Sequence, residues 1–379
     1  MRIGLDGFPL ASPKTGVGHY TFELARAMAE LAPQHELEFI SPLPYAPALT
    51  ADIDSISNLR AVNPPTNSIT RRWWSIGLPR YLKQNPVDIF HGTNYEVPLW
   101  NRKRNVLTVH DLSIFTHPDK HEPRIARRAR RRLPIMLRSA AMIITPTEAM
   151  KRELSERFRI EPDRIAVTPE APRSNFRPLP ITEAAAIRKR LGIEDDFILF
   201  VGTIEPRKNL LTLARAFDRI LRETDRRPQL VIAGGAGWLS GDLHRFLRQV
   251  DFGDRLRMTG YVHDEELRAL YSSCKLFIYP SLYEGFGLPP LEAMACGAPV
   301  VASRIPALIE TLGDNARLVD PLNENELAKS IVELLSNETA RQQMSSAGLK
   351  HAARFSWGEM ARRTLEIYER VLKSLRNPT

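Results

Sequence analysis

Two carboxylates, Glu284 and Glu292, stand on either side of a glycine turn in Tyr279-Pro-Ser-Leu-Tyr-Glu284-Gly-Phe-Gly-Leu-Pro-Pro-Leu-Glu292. Carboxylates so placed can accept hydrogen bonds from the hydroxyls of a polyol, or work as an acid and base pair in glycoside cleavage. A second constellation, Glu205-Pro-Arg207-Lys208-Asn209, sets two cations side by side at a helix start. Fixed positive charge there suits a reaction in which negative charge develops on a departing diphosphate. Thr15-Gly16-Val-Gly18 offers backbone N–H groups and the positive end of a helix to a phosphate, although it lacks the third glycine of the dinucleotide fingerprint. Val106-Leu-Thr-Val-His110-Asp111 puts a histidine and an aspartate at the tip of an apolar run. Each feature has an ordinary alternative: a glutamate early in a helix complements the dipole, Gly-x-Gly makes a turn, and adjacent cations lie in solvent.

The elements that would carry these residues narrow the choice. Residues 275–279 are apolar and aromatic enough for a buried strand, and Pro280 stops it. Glu284 is then expected in the loop at the strand's carboxyl end, with Gly285 and Gly287 at positive φ, Pro289 and Pro290 in the first turn of a helix, and Glu292 within that turn. Residues 2–8 predict a strand, residues 9–14 a turn, and Thr15 the start of an amphipathic helix reaching residue 31. Short apolar runs at 37–40, 87–91, 106–110, 142–145 and 165–167 alternate with helical patterning, which predicts an α/β, doubly wound parallel sheet. The proline-rich stretch 42–65 is expected to be loop. Asp52-Ile-Asp54 within it spells a metal-binding Asp-x-Asp but follows no hydrophobic strand, and is taken as a chance match. After a proline-rich linker over 171–180, strands are expected at 197–203, 230–233, 256–262, 299–302 and 317–319, and a last helix follows Phe355-Ser-Trp357 to about residue 375. Ligands of such open sheets bind beyond the carboxyl ends of the strands, where these constellations fall.

The string EGFGLPPLEAMACGAPVVAS, together with TGVGHYT, VHDLS, GTIEPRKN and SLYEGFGLP, closely resembles the signatures of retaining family 4 glycosyltransferases of the GT-B fold, over nearly the whole chain. The resemblance implies two Rossmann-like domains facing a cleft, about residues 1–175 and 185–355, with 356–379 forming a helix that crosses back to the first. It implies retaining transfer of a hexose from a nucleotide sugar donor, with no metal and no cofactor. The combined motifs look most like bacterial mannosyltransferases of O-antigen and exopolysaccharide assembly, which favours GDP-mannose over UDP-glucose or another nucleotide hexose. By the same resemblance, His110 and Asp111 contact the donor sugar, while Arg207 and Lys208 face the diphosphate with the amides at Gly16 and Gly18. Glu284 and the amides of Gly285, Phe286, Gly287 and Leu288 hold sugar hydroxyls, Glu292 accepts from the ribose, and Gly202, Thr203 and the turn at Val262 line the nucleotide. A carboxylate-pair glycoside hydrolase would leave the Arg-Lys pair and both glycine loops unexplained. A non-catalytic nucleotide-sugar binder would carry the same residues.

Length and composition agree with two soluble domains: 379 residues, 43% hydrophobic and 26% charged. The chain opens on a strand-like segment without a basic and apolar leader, and no uncharged apolar run reaches about 18 residues, so a cytoplasmic protein without a membrane span is expected. Cys274 and Cys296, in apolar surroundings, are expected to be buried thiols. The net charge of +9 is uneven, because residues 1–180 hold 26 Lys and Arg against 18 Asp and Glu, and the remainder 27 against 26. Arg124, Arg127, Arg128, Arg130, Arg131 and Arg132 fall in a helix expected over 123–140, whose Ile125, Ala126, Ala129, Leu133 and Met136 recur at helical spacing. With Arg71-Arg-Trp73-Trp74 upstream, this face fits the anionic inner surface of a membrane, where a saccharide or lipid-linked acceptor would be met. A solvated face is the alternative, and with no recognition motif for nucleic acid, none is expected as a partner.

Overall fold

A computed structural model describes residues 1–11, 16–238 and 241–376. They group into two compact units: Met1–Leu112 with Arg127–Glu170 and the segment from Ser356, and Ser113–Ala126 with Ala171–Phe355. The sequence boundaries put residues 113–126 in the first half, whereas packing groups them with the second.

The first unit holds β1 (Arg2–Asp6), β2 (Glu36–Ile40), β3 (Leu59–Val62), β4 (Ile89–Gly92), β5 (Asn105–Thr108), β6 (Met142–Thr145) and β7 (Ile165–Val167) in the order β3-β2-β1-β4-β5-β6-β7. Every pairing is parallel. The inner strands are buried on both faces, which is why they read as short continuous apolar runs. Interleaved helices are α1 (Gly16–Leu31), α2 (Pro47–Asp54), α3 (Leu78–Gln84) and, after the single turn α4 (Ser113–Thr116) that groups with the second unit, α5 (Pro123–Arg138), which joins the first unit from Arg127, and α6 (Glu148–Phe158). The stretch expected as loop, 42–65, contains α2 and the edge strand β3. Pro47 fits the first helical position, where its missing N–H costs no hydrogen bond, so proline here starts a helix instead of marking a loop. Ile53 is buried in α2 while Asp52 and Asp54 are exposed, and positions two apart on a helix do not share a face, so they cannot chelate one ion together. Turn residues 12–14 and Thr15 lie outside the described residues.

The second unit repeats the plan with β8 (Phe197–Val201), β9 (Gln229–Ala233), β10 (Leu256–Gly260), β11 (Leu276–Tyr279), β12 (Val300–Ser303) and β13 (Arg317–Val319) in the order β10-β9-β8-β11-β12-β13. Its helices are α7 (Ile181–Arg190), α8 (Leu210–Glu223), α9 (Gly241–Gln249), α10 (Asp264–Ser273), α11 (Leu288–Ala295), α12 (Pro306–Leu312), α13 (Glu324–Ser336) and α14 (Glu338–Ala352). Phe197, Phe200, Phe217, Phe277 and Tyr279 are fully buried at its centre, and Cys274 and Cys296 are buried free thiols. Winding reverses between β1 and β4 in one sheet and between β8 and β11 in the other. At such a switch point the connections leave toward opposite faces and open a crevice at the strands' carboxyl ends.

The last helix, α15 (Trp357–Arg376), belongs to the first unit and packs along α1. Ser356 caps it, its Oγ accepting from the Glu359 N–H at 3.1 Å. The contact is polar at its centre. The Tyr368 hydroxyl lies 2.6 Å from His91 Nδ1, His91 Nε2 lies 2.7 Å from Thr108 Oγ1, and the Tyr20 hydroxyl reaches the same Thr108 oxygen at 2.8 Å. Burial pushes the His91 imidazole down to about 3, so it is neutral and needs both partners. Tyr368→Phe, which leaves His91 Nδ1 buried without its hydroxyl, is expected to cost about 1–3 kcal/mol in urea denaturation. An unchanged midpoint would mean that the helix docks through apolar contact alone.

Candidate active site

In the second unit, the switch point sets the loop after β8 beside the loop after β11. Gly202 follows β8 at φ +151°, and a Cβ on Gly234, just past β9, would come within 2.1 Å of the Gly202 carbonyl oxygen, so the ends of β8 and β9 meet backbone to backbone. Pro206–Lys208 forms a short 3-10 turn, closed by Asn209 in the left-handed region at φ +58°. The Asn209 side-chain amide donates to the carbonyls of Pro280 at 3.0 Å and Pro321 at 2.7 Å. The Leu282 N–H donates to the Arg207 carbonyl at 2.8 Å, and Arg207 Nη1 to the Tyr283 carbonyl at 2.9 Å. These bonds lock the cation turn to the carboxylate loop.

The side chains then form one buried charge cluster. Lys208 Nζ donates to Glu284 Oε1 at 2.6 Å and to the Tyr279 hydroxyl at 2.5 Å, while Arg207 stands 3.1 Å from Glu284 Oε2 and 2.6 Å from Glu205 Oε1. Burial works to raise the Glu284 carboxyl, but the charges of Lys208 and Arg207 and the Lys208 hydrogen bond outweigh it and hold it at about 2. Burial pushes the Lys208 ammonium below its ordinary value, against the pull of Glu284. A carboxylate this firmly ionised accepts hydrogen bonds and is a poor general acid.

The glycine loop differs from expectation in two details. Gly287 is left-handed at φ +101°, and a Cβ there would come within 2.4 Å of Leu308 Cδ2, but Gly285 is not left-handed. Pro289 and Pro290 do occupy the first turn of α11 and carry no N–H, so the backbone donors at this end belong to Gly285, Phe286, Gly287 and Leu288. Glu292 falls one residue beyond the first turn. It is 5% exposed, and each of its oxygens accepts from the Arg173 guanidinium, from Nε at 2.7 Å and Nη2 at 2.9 Å. The Phe286 ring is buried against Phe355 at 5.9 Å, leaving only its backbone for a ligand. Val262 is buried just past β10, and Thr203 is exposed past β8.

In the first unit, Gly16 and Gly18 lie at the start of α1, and a Cβ on Gly16 would meet nothing within 4 Å, so its backbone is open to approach. His110 follows β5. Its Nε2 lies 2.8 Å from the Thr93 carbonyl and its Nδ1 lies 3.0 Å from Glu170 Oε1. Burial would lower this imidazole, but the hydrogen bond and charge of Glu170 overcome it and raise it above its ordinary value. With both ring nitrogens engaged, His110 is a fixed polar wall. Tyr95, left-handed at φ +61°, sets its ring edge-on to His110 at 5.9 Å and accepts from the Asp111 N–H at 2.8 Å. A tyrosine held in that region is strained, and such strain gathers at functional sites. Glu170, Arg173, Tyr95 and Glu205 had no signal of their own in the sequence, because each acquires meaning only from a partner distant in the chain or from its backbone twist.

The basic helix needs correction as well. Arg124, Arg127, Arg128, Arg130 and Arg131 are exposed on α5, but Arg132 is held by Glu96 through Nε at 2.6 Å and Nη2 at 2.5 Å. Ile125 is 57% exposed instead of on the apolar face, and Trp73 is 6% exposed, so its ring is core. No helix among the described residues is long and apolar enough to cross a membrane.

Two parallel doubly wound units, one carrying a buried Arg-Lys-Glu cluster at its switch point, define a glycosyltransferase of the GT-B fold. The chain belongs to family 4 of these enzymes: residues 14–171 match the family described as Glycosyltransferase Family 4, and residues 183–351 match Glycosyl transferases group 1. It is 32% identical to the O-antigen chain mannosyltransferase B of Escherichia coli over 97% of this chain and 100% of that protein. It is 30% identical to the serotype-specific mannosyltransferase WbdA of Escherichia coli over 72% of this chain and 34% of that longer protein. In fold it resembles a sucrose-phosphate synthase from Thermosynechococcus elongatus with a TM-score of 0.76 at 19% identity, covering 99% of this chain and 100% of that one.

The His110 pair yields a pH test. Because Glu170 raises the folded-state value above 6.5, the pair stabilises the fold below that pH and the contribution fades as pH rises through the folded value. In NMR titrations the His110 Cε1–H signal should turn over above 6.5 in the native protein and at a lower pH in Glu170→Gln, where desolvation is opposed only by the Thr93 carbonyl and the Asp111 charge. Equal titration in both proteins would remove Glu170 from His110's environment.

Proposed function

We propose that this enzyme moves mannose from GDP-mannose to a saccharide acceptor, lipid-linked, in the assembly of a bacterial surface polysaccharide, with retention at the anomeric carbon and without a metal ion. The observation that carries the reading is the Lys208–Glu284–Arg207 cluster. Two of the three Lys208 N–H bonds are committed, to Glu284 and Tyr279, and the third is available to an oxygen of the diphosphate. Arg207 adds a second fixed charge beside it. These groups stand ready before the reaction, so negative charge developing on the leaving diphosphate meets a dipole and charge array that need not reorganise. The amides at the start of α1 and of the glycine loop would serve phosphate and sugar oxygens.

In the proposed step the acceptor hydroxyl approaches C1 on the face from which the diphosphate departs. The C1–O bond to phosphate breaks, the new C1–O bond forms on that face, and the acceptor's proton passes to a leaving phosphate oxygen. No side chain needs to become a covalent nucleophile. Glu284, tied by two cations and held at about 2, orients sugar hydroxyls. The same geometry weighs against a hydrolase, whose general acid must present a free carboxyl proton, whereas Glu284 is held ionised by two cations and both Glu292 oxygens accept from the Arg173 guanidinium. Mannose as the sugar draws on the two mannosyltransferase relatives; UDP-glucose is the competing donor.

The exposed arginines of α5 support docking on an anionic membrane surface, where each cation contributes about 1 kcal/mol at low salt. Five such residues give reversible attraction that screening weakens.

Lys208→Ala should lower turnover with saturating donor roughly a hundredfold while the circular dichroism spectrum stays native. Undiminished transfer would exclude Lys208 from the chemistry. Activity should persist in excess chelator, since Arg207 and Lys208 supply the positive charge; loss restored by magnesium or manganese would refute metal independence. In sedimentation with vesicles, Arg124, Arg127, Arg128 and Arg131 changed together to Glu should release the protein from anionic lipid and leave donor hydrolysis in solution nearly intact. Retained binding would make this helix a solvated face.

A further inference from the structure

Arg173 comes from an irregular stretch between β7 and α7, yet it is among the most tightly held cations of the second unit. Its guanidinium forks onto Glu292, with Nε at 2.7 Å from Oε1 and Nη2 at 2.9 Å from Oε2, and its Nη1 donates to Asp264 Oδ1 at 2.6 Å. Its Cζ also sits 4.1 Å above the Phe176 ring. Its side chain is 12% exposed and that of Glu292 is 6% exposed. A bidentate pair of this kind fixes the carboxylate's plane and rotamer as well as its charge.

We propose that Arg173 is a positioning residue for nucleotide recognition, holding Glu292 ionised and oriented so that its remaining acceptor site faces the hydroxyls of the nucleoside ribose. The inference rests on the reading of Glu292 as the ribose-binding carboxylate. Its physical content is a matter of lone pairs. The carboxylate has four acceptor sites; the Arg173 guanidinium uses one on each oxygen and the Arg173 backbone N–H bonds to the same carboxylate, which leaves a remaining site for a ribose hydroxyl. A protonated carboxyl would lose one of these acceptors to its own proton. At this depth protonation is a real competitor, because burial pushes the Glu292 carboxyl above its ordinary value even with Arg173 present. Other groups facing Glu292 do not help. Asp264 at the start of α10 is a like charge, while Tyr271 of α10 and Cys296 at the end of α11 are neutral, their own ionisation opposed by burial and by Glu292. Removing the guanidinium therefore leaves a buried carboxylate beside a second carboxylate.

The test compares GDP and UDP with their 2′,3′-dideoxy counterparts, by calorimetry at pH 6, 7.5 and 9. Wild type should prefer the ribose form of the nucleotide it binds by tenfold or more at every pH, since hydrogen bonds to a charged group are at stake. Arg173→Met should bind the dideoxy nucleotide as wild type does and lose the ribose preference at pH 6 and 7.5, with partial recovery at pH 9 as Glu292 ionises. Arg173→Lys, which keeps charge but not the fork, should be intermediate and without the pH dependence, and it stands in if the methionine variant fails to fold. A ribose preference unchanged in the Arg173 variants overturns the proposal, as does an equal loss of affinity for both nucleotide forms, the mark of a merely structural role. Glu292→Gln separates the two levels: if it retains the wild-type ribose preference, the reading of Glu292 itself fails, whatever Arg173 does.

Discussion

The second unit depends on keeping two cations and their carboxylates buried in one place. Lys208 is 8% exposed and Glu205 5% exposed, and burying unpaired charge of this kind is prohibitive. The cluster is therefore tolerable only with every member paired: Lys208 with Glu284, and Arg207 with Glu284 and Glu205. Such pairing requires two loops from different strands at fixed separation, which a parallel sheet supplies at its switch point between β8 and β11. The left-handed Asn209 follows from that requirement, since it turns the β8 loop so that its side-chain amide reaches the Pro280 carbonyl just past β11. In the proposed reaction a cluster assembled in advance of the donor would not have to be reorganised as the leaving group ionises.

The first unit solves a gentler version of the same problem. A run of hydrogen bonds passes from Tyr368 on the last helix through His91 and Thr108 to Tyr20, and the Tyr20 ring lies edge-on to His110 at 4.5 Å. The helix that ends the chain thus supports the wall around His110, within the unit where the chain began. Glu170, which pairs with His110, is the last residue of this unit before the chain enters the second, and Arg173, three positions later, grips Glu292 there. The connection between units is therefore also a site element, each end fixing a candidate ligand group of its own unit.

Much was legible beforehand. Short apolar runs between helical stretches marked every strand of both sheets except β3, because strands buried on both faces must be apolar throughout and turn residues must punctuate them. Glu284, Arg207 and Lys208 were readable as candidates at strand ends because glycines and prolines locate loops, and the structure brings the three together. Failures came where a local signal has two physical meanings. Proline in 42–65 marks loops and helix starts alike, and arginine in α5 marks solvent and ion pairs alike, so α2 and the Arg132–Glu96 pair escaped notice.

The order of residues alone determined the elements, the two glycine loops and the types of side chain at their tips, because these depend on periodicity and backbone freedom within a few residues. Only the tertiary structure decided which charges neutralise which: that Lys208 meets Glu284, that His110 is held by Glu170, and that Glu292 is held by an arginine from the connecting segment. Those pairings span 60 to 119 residues of chain. The free energy of a buried charge depends on what surrounds it in space, and local sequence carries no record of a neighbour that far away.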